Sequence, residues 1–195
     1  MSYSCLEELQ VDLDLYALDK TTILSKVGCK YDDGWFVITN DGICHLFDED
    51  GNPDDIKKIT RLKEDYIRKD ITKIVIPDST MSIGDYAFYD CYGLTNVIIP
   101  ASVTSIGYQT FYNCRNLANM TIPDGVTSIE IYAFSWCIKL TSVTIPDSVT
   151  SIGRYAFEYC SNLINLTFKD KTLEQVKKIR GYPWGIEDES IIQVG

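Results

Sequence analysis

The chain has 195 residues and a formal charge of −10, from 28 Asp and Glu against 18 Lys and Arg. That balance excludes a phosphate-backbone binder, which needs clustered basic side chains. No apolar run approaches the ~20 residues of a membrane-spanning helix, and the length suits one elongated domain or one domain with a substantial cap.

The acid is concentrated at the start: residues 1–60 hold 13 Asp and Glu and 5 Lys and Arg, a balance of 5 − 13 = −8. Met1 is followed by Ser-Tyr-Ser-Cys-Leu-Glu-Glu, without the basic and apolar regions of an export signal. Leu9, Val11, Leu13 and Leu15 alternate with polar residues, a strand pattern, although Leu6 and Leu9 equally permit a short helix before it. From Lys26 to Gly51 the turn clusters Asp32-Asp33-Gly34, Asn40-Asp41-Gly42 and Asp48-Glu49-Asp50-Gly51 separate two apolar runs, Trp35–Thr39 and Ile43–Phe47. Gly, Asn and Asp tolerate the positive φ of hairpin turns, so this region reads as a three-stranded meander. Asp48, Asp50 and Asn52 match the first ligand offsets of a calcium loop, but Pro53 and Ile59 stand where that loop needs Gly and Glu, so a solvated acidic turn is expected. Pro53 and Asp54 predict a helix to about Lys69, with Ile56, Ile59, Leu62 and Tyr66 near one face.

From Ser79 to Phe168 one pattern repeats at a step of 23 residues. Ile83, Ile106, Ile129 and Ile152 mark it; so do Phe88, Phe111, Phe134 and Phe157, Cys91, Cys114, Cys137 and Cys160, and Leu94, Leu117, Leu140 and Leu163. A period in this range predicts a solenoid whose coils share a core and cannot fold singly. Within a coil, Leu140, Val143 and Ile145 point inward and Ser142 and Thr144 outward, Pro146 ends the strand, Ser148–Ile152 carries a second short strand, and Tyr155 to Cys160 makes a tight helical turn that inserts Phe157. The four cysteines form a column of small buried thiols. Side chains on a stack run parallel, whereas a disulfide needs converging Cβ vectors. No His or second Cys accompanies them at ligand spacing, so no metal or other cofactor is expected. Seven free thiols fit a reducing compartment, which together with the missing signal favours the cytoplasm.

After the repeats, Thr172-Leu-Glu-Gln175 is a capping-box pattern, with Leu173, Val176 and Ile179 on one side and Gly181 as the C′ residue. Tyr182-Pro-Trp-Gly185 turns the chain, Trp184 is expected as the hydrophobic plug of the lid, with a ligand platform as the alternative, and Ser190–Val194 reads as a last strand. The expected organisation is an N-terminal capping region over residues 1–70, repeats over 71–168 and a C-terminal cap over 169–195.

The pattern Cys-x-x-Leu-x-x-Val-x-Ile-Pro followed by x-x-Val-x-x-Ile-Gly-x-x-Ala-Phe, carried here by Cys91 to Phe111, Cys114 to Phe134 and Cys137 to Phe157, resembles the BspA-like, Treponema-type leucine-rich repeat. Glu130, Thr110 and Gln109 depart from the usual Gly, Ala and Tyr. The resemblance covers about half of the chain. It implies an α/β leucine-rich-repeat solenoid, β-rich, right-handed and curved, with a parallel sheet on the inner face and short helical turns. It also implies relatives associated with surfaces, adhesion and partner binding, which favours the cell surface or secretion and brings no catalytic residues.

The residues agree with a non-catalytic binder. The single histidine, His45, is adjacent to Cys44 on a strand, so the two point to opposite faces and cannot act as base and nucleophile. The outward rows Asn96, Asn119, Ser142, Asn165 and Ile98, Thr121, Thr144, Thr167 are chemically quiet. The repeats differ most beside the turn, where Tyr89, Tyr92, Tyr112, Trp136 and Tyr159 are candidates to touch a protein or glycan partner. Alternatively these rings only fill gaps between coils. A third reading is a structural subunit of a larger assembly, a phage or cell-envelope particle, docked through the acidic N-terminal region.

Overall fold

The computed structural model describes residues 23–31, 34–39, 43–48, 58–59, 69 and 71–195. The element expected before residue 23 and most of the acidic turn after Asp48 lie outside these residues.

Two sheets run the length of the molecule. The longer contains β1 (Ile23–Tyr31), β2 (Gly34–Thr39) and β3 (Ile43–Asp48), which pair antiparallel in sequence order. Next come β5 (Lys73–Val75), β7 (Asn96–Ile98), β9 (Asn119–Thr121), β11 (Ser142–Ile145), β13 (Asn165–Phe168) and β14 (Ile192–Val194), parallel to one another and to β3. The shorter sheet holds β4 (Lys58–Ile59), β6 (Ser82–Ile83), β8 (Ser105–Ile106), β10 (Ser128–Ile129) and β12 (Ser151–Ile152), all parallel. The result is a β-solenoid of about five turns. Its register follows the sequence period: Asn96 pairs with Asn119, and Ile106 with Ile129.

The core lies between the walls. Leu140, Val143 and Ile145 are buried, and Ser142 faces out. The phenylalanines align as a column, with ring centroids 5.4 Å apart from Phe88 to Phe111, 5.4 Å from Phe111 to Phe134 and 5.5 Å from Phe134 to Phe157. Offset stacking at this separation adds a favourable ring contact to the burial itself. Cys91, Cys114, Cys137 and Cys160 are buried free thiols beside them.

Two expectations are corrected. Lys58–Ile59 is strand, not helix; Ile59 is fully buried and pairs with Ile83, a step of 24 rather than 23, so the extra residue hides this coil from a fixed-step search. The rest of that expected helix lies outside the described residues. The segment Tyr155 to Cys160 is also not helical. It is a run of tight turns, which recurs at 85–90, 108–113 and 131–136.

After the last coil, Thr172 and Gln175 form a reciprocal capping box on α1 (Leu173–Lys178). Val176 is buried, whereas Leu173 is 44% exposed and so does not join Val176 and Ile179 on the packed side. The helix C-cap is Ile179, and Gly181, two residues on, takes a φ of 88°. A Cβ there would sit 2.4 Å from the Ile152 carbonyl, so the close approach as well as the left-handed backbone requires glycine. Trp184 is fully buried, stacks on Phe168 at 5.2 Å and donates its indole N–H to the Arg180 carbonyl.

Candidate functional site

The third wall of the solenoid is built from turns. In the coil beginning at Gly84, Tyr86 and Asp90 both have left-handed backbones; the same two positions are left-handed at Gln109 and Asn113, Tyr132 and Trp136, and Tyr155 and Tyr159. Bulky residues rarely adopt this conformation, and here it rotates the peptide planes. The N–H groups of Tyr86, Phe88 and Asp90 leave their own coil and donate to Tyr108, Thr110 and Tyr112 of the next at 2.8, 2.9 and 2.9 Å. The intervening Ala87, Tyr89 and Cys91 donate three residues back within the coil. A helix would have kept all of these bonds inside one coil, leaving this wall without cross-links. Beside the long sheet a bond runs the other way: the Thr95 N–H, just before β7, donates to the Thr72 carbonyl of the preceding coil at 2.9 Å.

The turns send Ala87, Phe88 and Cys91 inward and leave the intervening side chains outside, where they stack at the repeat spacing. Of the five candidate residues, Tyr89 and Tyr112 stack face to face at 5.1 Å and 5°. Trp136 and Tyr159 form a second pair at 4.5 Å and 37°. No ring contact joins the two pairs among the described residues, because Ser135 stands between Tyr112 and Glu158 in its column and is fully buried. Tyr92 is 42% exposed and next to neither pair in any ring contact. The five therefore do not form one continuous patch.

Four tyrosines that the variable positions did not single out extend the first pair along the wall. Tyr89 meets Tyr86 at 5.8 Å, Tyr86 meets Tyr108 at 5.2 Å, Tyr108 meets Tyr132 at 6.3 Å and Tyr132 stacks on Tyr155 at 5.2 Å. The signal for them is the 23-residue column 86, 109, 132, 155, interrupted by Gln109. The preceding residue, Tyr108, fills the gap edge-on. Where the wall is polar it is also cross-linked: the Asn113 side-chain amide donates to Asp90 Oδ1 at 2.6 Å, and Arg115 Nε donates to Asn113 Oδ1 at 2.7 Å.

Most of these rings are half-buried, with faces spent on one another and edges turned out; Tyr159, at 53% exposed, is the most open of the candidates. Packing and presentation are thus both properties of the same rings. Desolvation, then the Glu158 carboxylate and the neighbouring tyrosines, push the Tyr132 phenol above its usual value, and burial raises Glu158. The Tyr132 hydroxyl therefore stays neutral at physiological pH.

The outer face of the long sheet is different. β9 and β11 pair only at Asn119 and Ser142, and a shallow depression of ≈ 590 Å³ lies there, lined by Asn96, Ile98, Thr121 and Thr144 among others. Ile98 is 60% exposed, and its register partner Val75 is exposed beside it; Val97, Ile99 and Met120 join the amides and hydroxyls in the lining. Among the described residues, no group of three or more His, Cys, Asp or Glu could hold a metal ion, and no helix is long and apolar enough to cross a membrane.

The description of the BspA type leucine-rich repeat region fits residues 63–181 in six copies, more than half of the chain. The chain belongs to the BspA-type leucine-rich repeat family. The six copies extend beyond the four read from the period, taking in residues on both sides of them. Solved structures with the same fold include the Treponema pallidum leucine-rich repeat protein, at 24% identity and a TM-score of 0.51, covering 71% of this chain and 59% of that one. A leucine-rich cell surface protein from Faecalibacterium prausnitzii matches at 26% identity and a TM-score of 0.50, covering 75% and 45%. A leucine-rich repeat protein from Bacteroides ovatus matches at 23% and 0.54, covering 73% and 49%. The chain thus spans about half the length of these BspA-type relatives. No curated protein matches it.

Proposed function

We propose that this chain is a non-catalytic binding module that seats a protein partner on its turn wall. The observation that carries the reading is the concentration there of Tyr and Trp at positions that vary between coils, whereas the sheet's outer face carries amides, hydroxyls and the aliphatic Val75 and Ile98, with no aromatic ring among the residues lining its depression. Aromatic residues with a polar tip supply contact area at little entropic cost and dominate interface energetics. A glycan fits less well, since sugar rings stack on free aromatic faces and most faces here are covered by the neighbouring coil.

An adhesion-related role is supported by the family and by the description of the Faecalibacterium relative as a cell surface protein. In this reading β1–β3 close one end of the stack, and α1 with the Trp184 turn closes the other, covering edges that would otherwise invite strand pairing.

The test is a triple variant, Tyr112→Ser, Trp136→Ser and Tyr159→Ser, used as bait in lysate of the native host beside the unaltered chain. A discrete protein retained by the unaltered chain and lost by the variant is expected. Equal retention by both baits contradicts the proposal.

A further inference from the structure

The repeat ends in a cavity that its own period does not create. Where the last coil meets the returning segment after Trp184, a space of ≈ 470 Å³ opens. Buried Leu163 and Ile186 line it, along with exposed Tyr159 and Ile164, the latter 65% exposed. The returning segment contributes Glu187 and Asp188, both exposed. Among the described residues neither carboxylate is ion-paired. Asp188 Oδ1 accepts the Ser190 N–H at 3.0 Å, and that contact holds its carboxyl below the usual range, so it is charged at neutral pH.

Tyr159 is the most exposed ring of the wall, at 53%, and has a face to offer at the end of the stack. Trp136 covers one side of its ring. The residue one period later is Tyr182, which instead meets Trp184 at 5.2 Å and gives its hydroxyl to Glu189. No further ring stacks on Tyr159 among the described residues. The cavity therefore combines an aromatic ring, apolar surface and two unpaired anionic groups within a protein of charge −10. A neutral or purely apolar occupant would desolvate the carboxylates without compensation, and an anionic one would be repelled. A guanidinium meets all three features, because it is planar, weakly hydrated, stacks on aromatic faces and forks onto carboxylates, while its stem covers apolar surface.

We propose that this cavity takes an arginine side chain from a partner peptide, with the guanidinium between Tyr159 and the Glu187 and Asp188 carboxylates and an adjacent apolar residue against Ile164. The assignment rests on the reading of the turn wall as the binding face, since Tyr159 belongs to both, and it adds the partner's charge and the end of the wall where that charge docks.

The experiment is a nuclear magnetic resonance titration of the full chain with acetyl-Leu-Arg-Leu-amide, followed at the Trp136 indole N–H and the Ile164 and Ile186 methyl groups. The same peptide with citrulline in place of arginine removes only the charge. The expected result is a saturable shift at those signals with millimolar affinity, weakened about tenfold or more by citrulline. The double variant Glu187→Gln, Asp188→Asn should weaken the arginine peptide likewise; Asn keeps an acceptor for the Ser190 N–H. No saturable shift, or equal shifts with both peptides, overturns the proposal without needing any variant. The wall reading is tested separately by Tyr112→Ser, whose ring does not line the cavity. Partner capture that depends on Tyr112 but is untouched by Glu187→Gln, Asp188→Asn would leave the wall standing and remove the arginine site.

Discussion

The thiol of Cys137 donates to the carbonyl of Phe111 in the preceding coil, 3.3 Å away. Cys114 and Cys160 repeat the contact with Phe88 and Phe134 at 3.3 and 3.1 Å. The cysteine column is therefore more than filler, for each thiol ties its coil to the one before. Cys137→Ala should lower stability by about 1–2 kcal/mol, from the lost sulfur contacts and a small void. Urea unfolding should show a lower midpoint at an unchanged slope; an unchanged midpoint would reduce the column to space filling.

The same burial makes the fold sensitive to alkali. Desolvation raises the Cys160 thiol from 9.0 to about 12, and raises Cys114 and Cys137 well above 9.0. In the unfolded chain these thiols ionise near 9.0 and release their protons, while the folded chain keeps them. Stability from this source is complete below pH 9 and is lost as pH rises towards 12. Urea midpoints should fall steeply between pH 9 and pH 11, and less so when Cys114 and Cys137 are both replaced by Ala. Equal pH slopes in the two proteins would refute the assignment.

Gly153 lies where two coils nearly touch. A Cβ placed on it would stand 2.3 Å from the Ile131 nitrogen and 2.6 Å from the Glu130 carbonyl carbon, both backbone atoms that cannot swing aside. Gly153→Ala should cost about 1–3 kcal/mol or more through overpacking, although alanine is among the mildest of changes elsewhere. Calorimetry that shows an unaltered or raised melting temperature would contradict the register described for β10 and β12.

Phe134 has a ring on either side, so its loss interrupts the column at two contacts. Phe134→Ala should cost about 3–5 kcal/mol, and the shorter Phe134→Leu less. A loss below about 1 kcal/mol for the alanine variant, measured by urea unfolding, would mean that neighbouring coils do not depend on the column.

What could be read from the sequence was whatever obeyed the period. Phe88 to Phe157 and Cys91 to Cys160 recur at a fixed step, and stacking identical coils requires them to align. Ile59 was misread because one extra residue shifts it out of step with Ile83. The turns are illegible because their left-handed positions carry no glycine: Tyr86 and Asp90 adopt that backbone under pressure from the bonds between coils, a tertiary effect without a local signature. Tyr86, Tyr132 and Tyr155 were overlooked because Gln109 breaks their column and Tyr108 repairs it from the neighbouring position. The cavity beside Tyr159 was illegible for another reason. It depends on where the nonrepeating segment from Gly185 to Ile191 returns.

We propose that recognition belongs to the turn wall and not to the outer face of the long sheet. Site-specific photocrosslinking addresses it directly, with a benzophenone side chain placed at position 112 or 159 in one pair of proteins and at position 98 in another. Recognition by the turn wall gives adducts to a shared partner from 112 and 159 and none from 98. Adducts from 98 alone would contradict it.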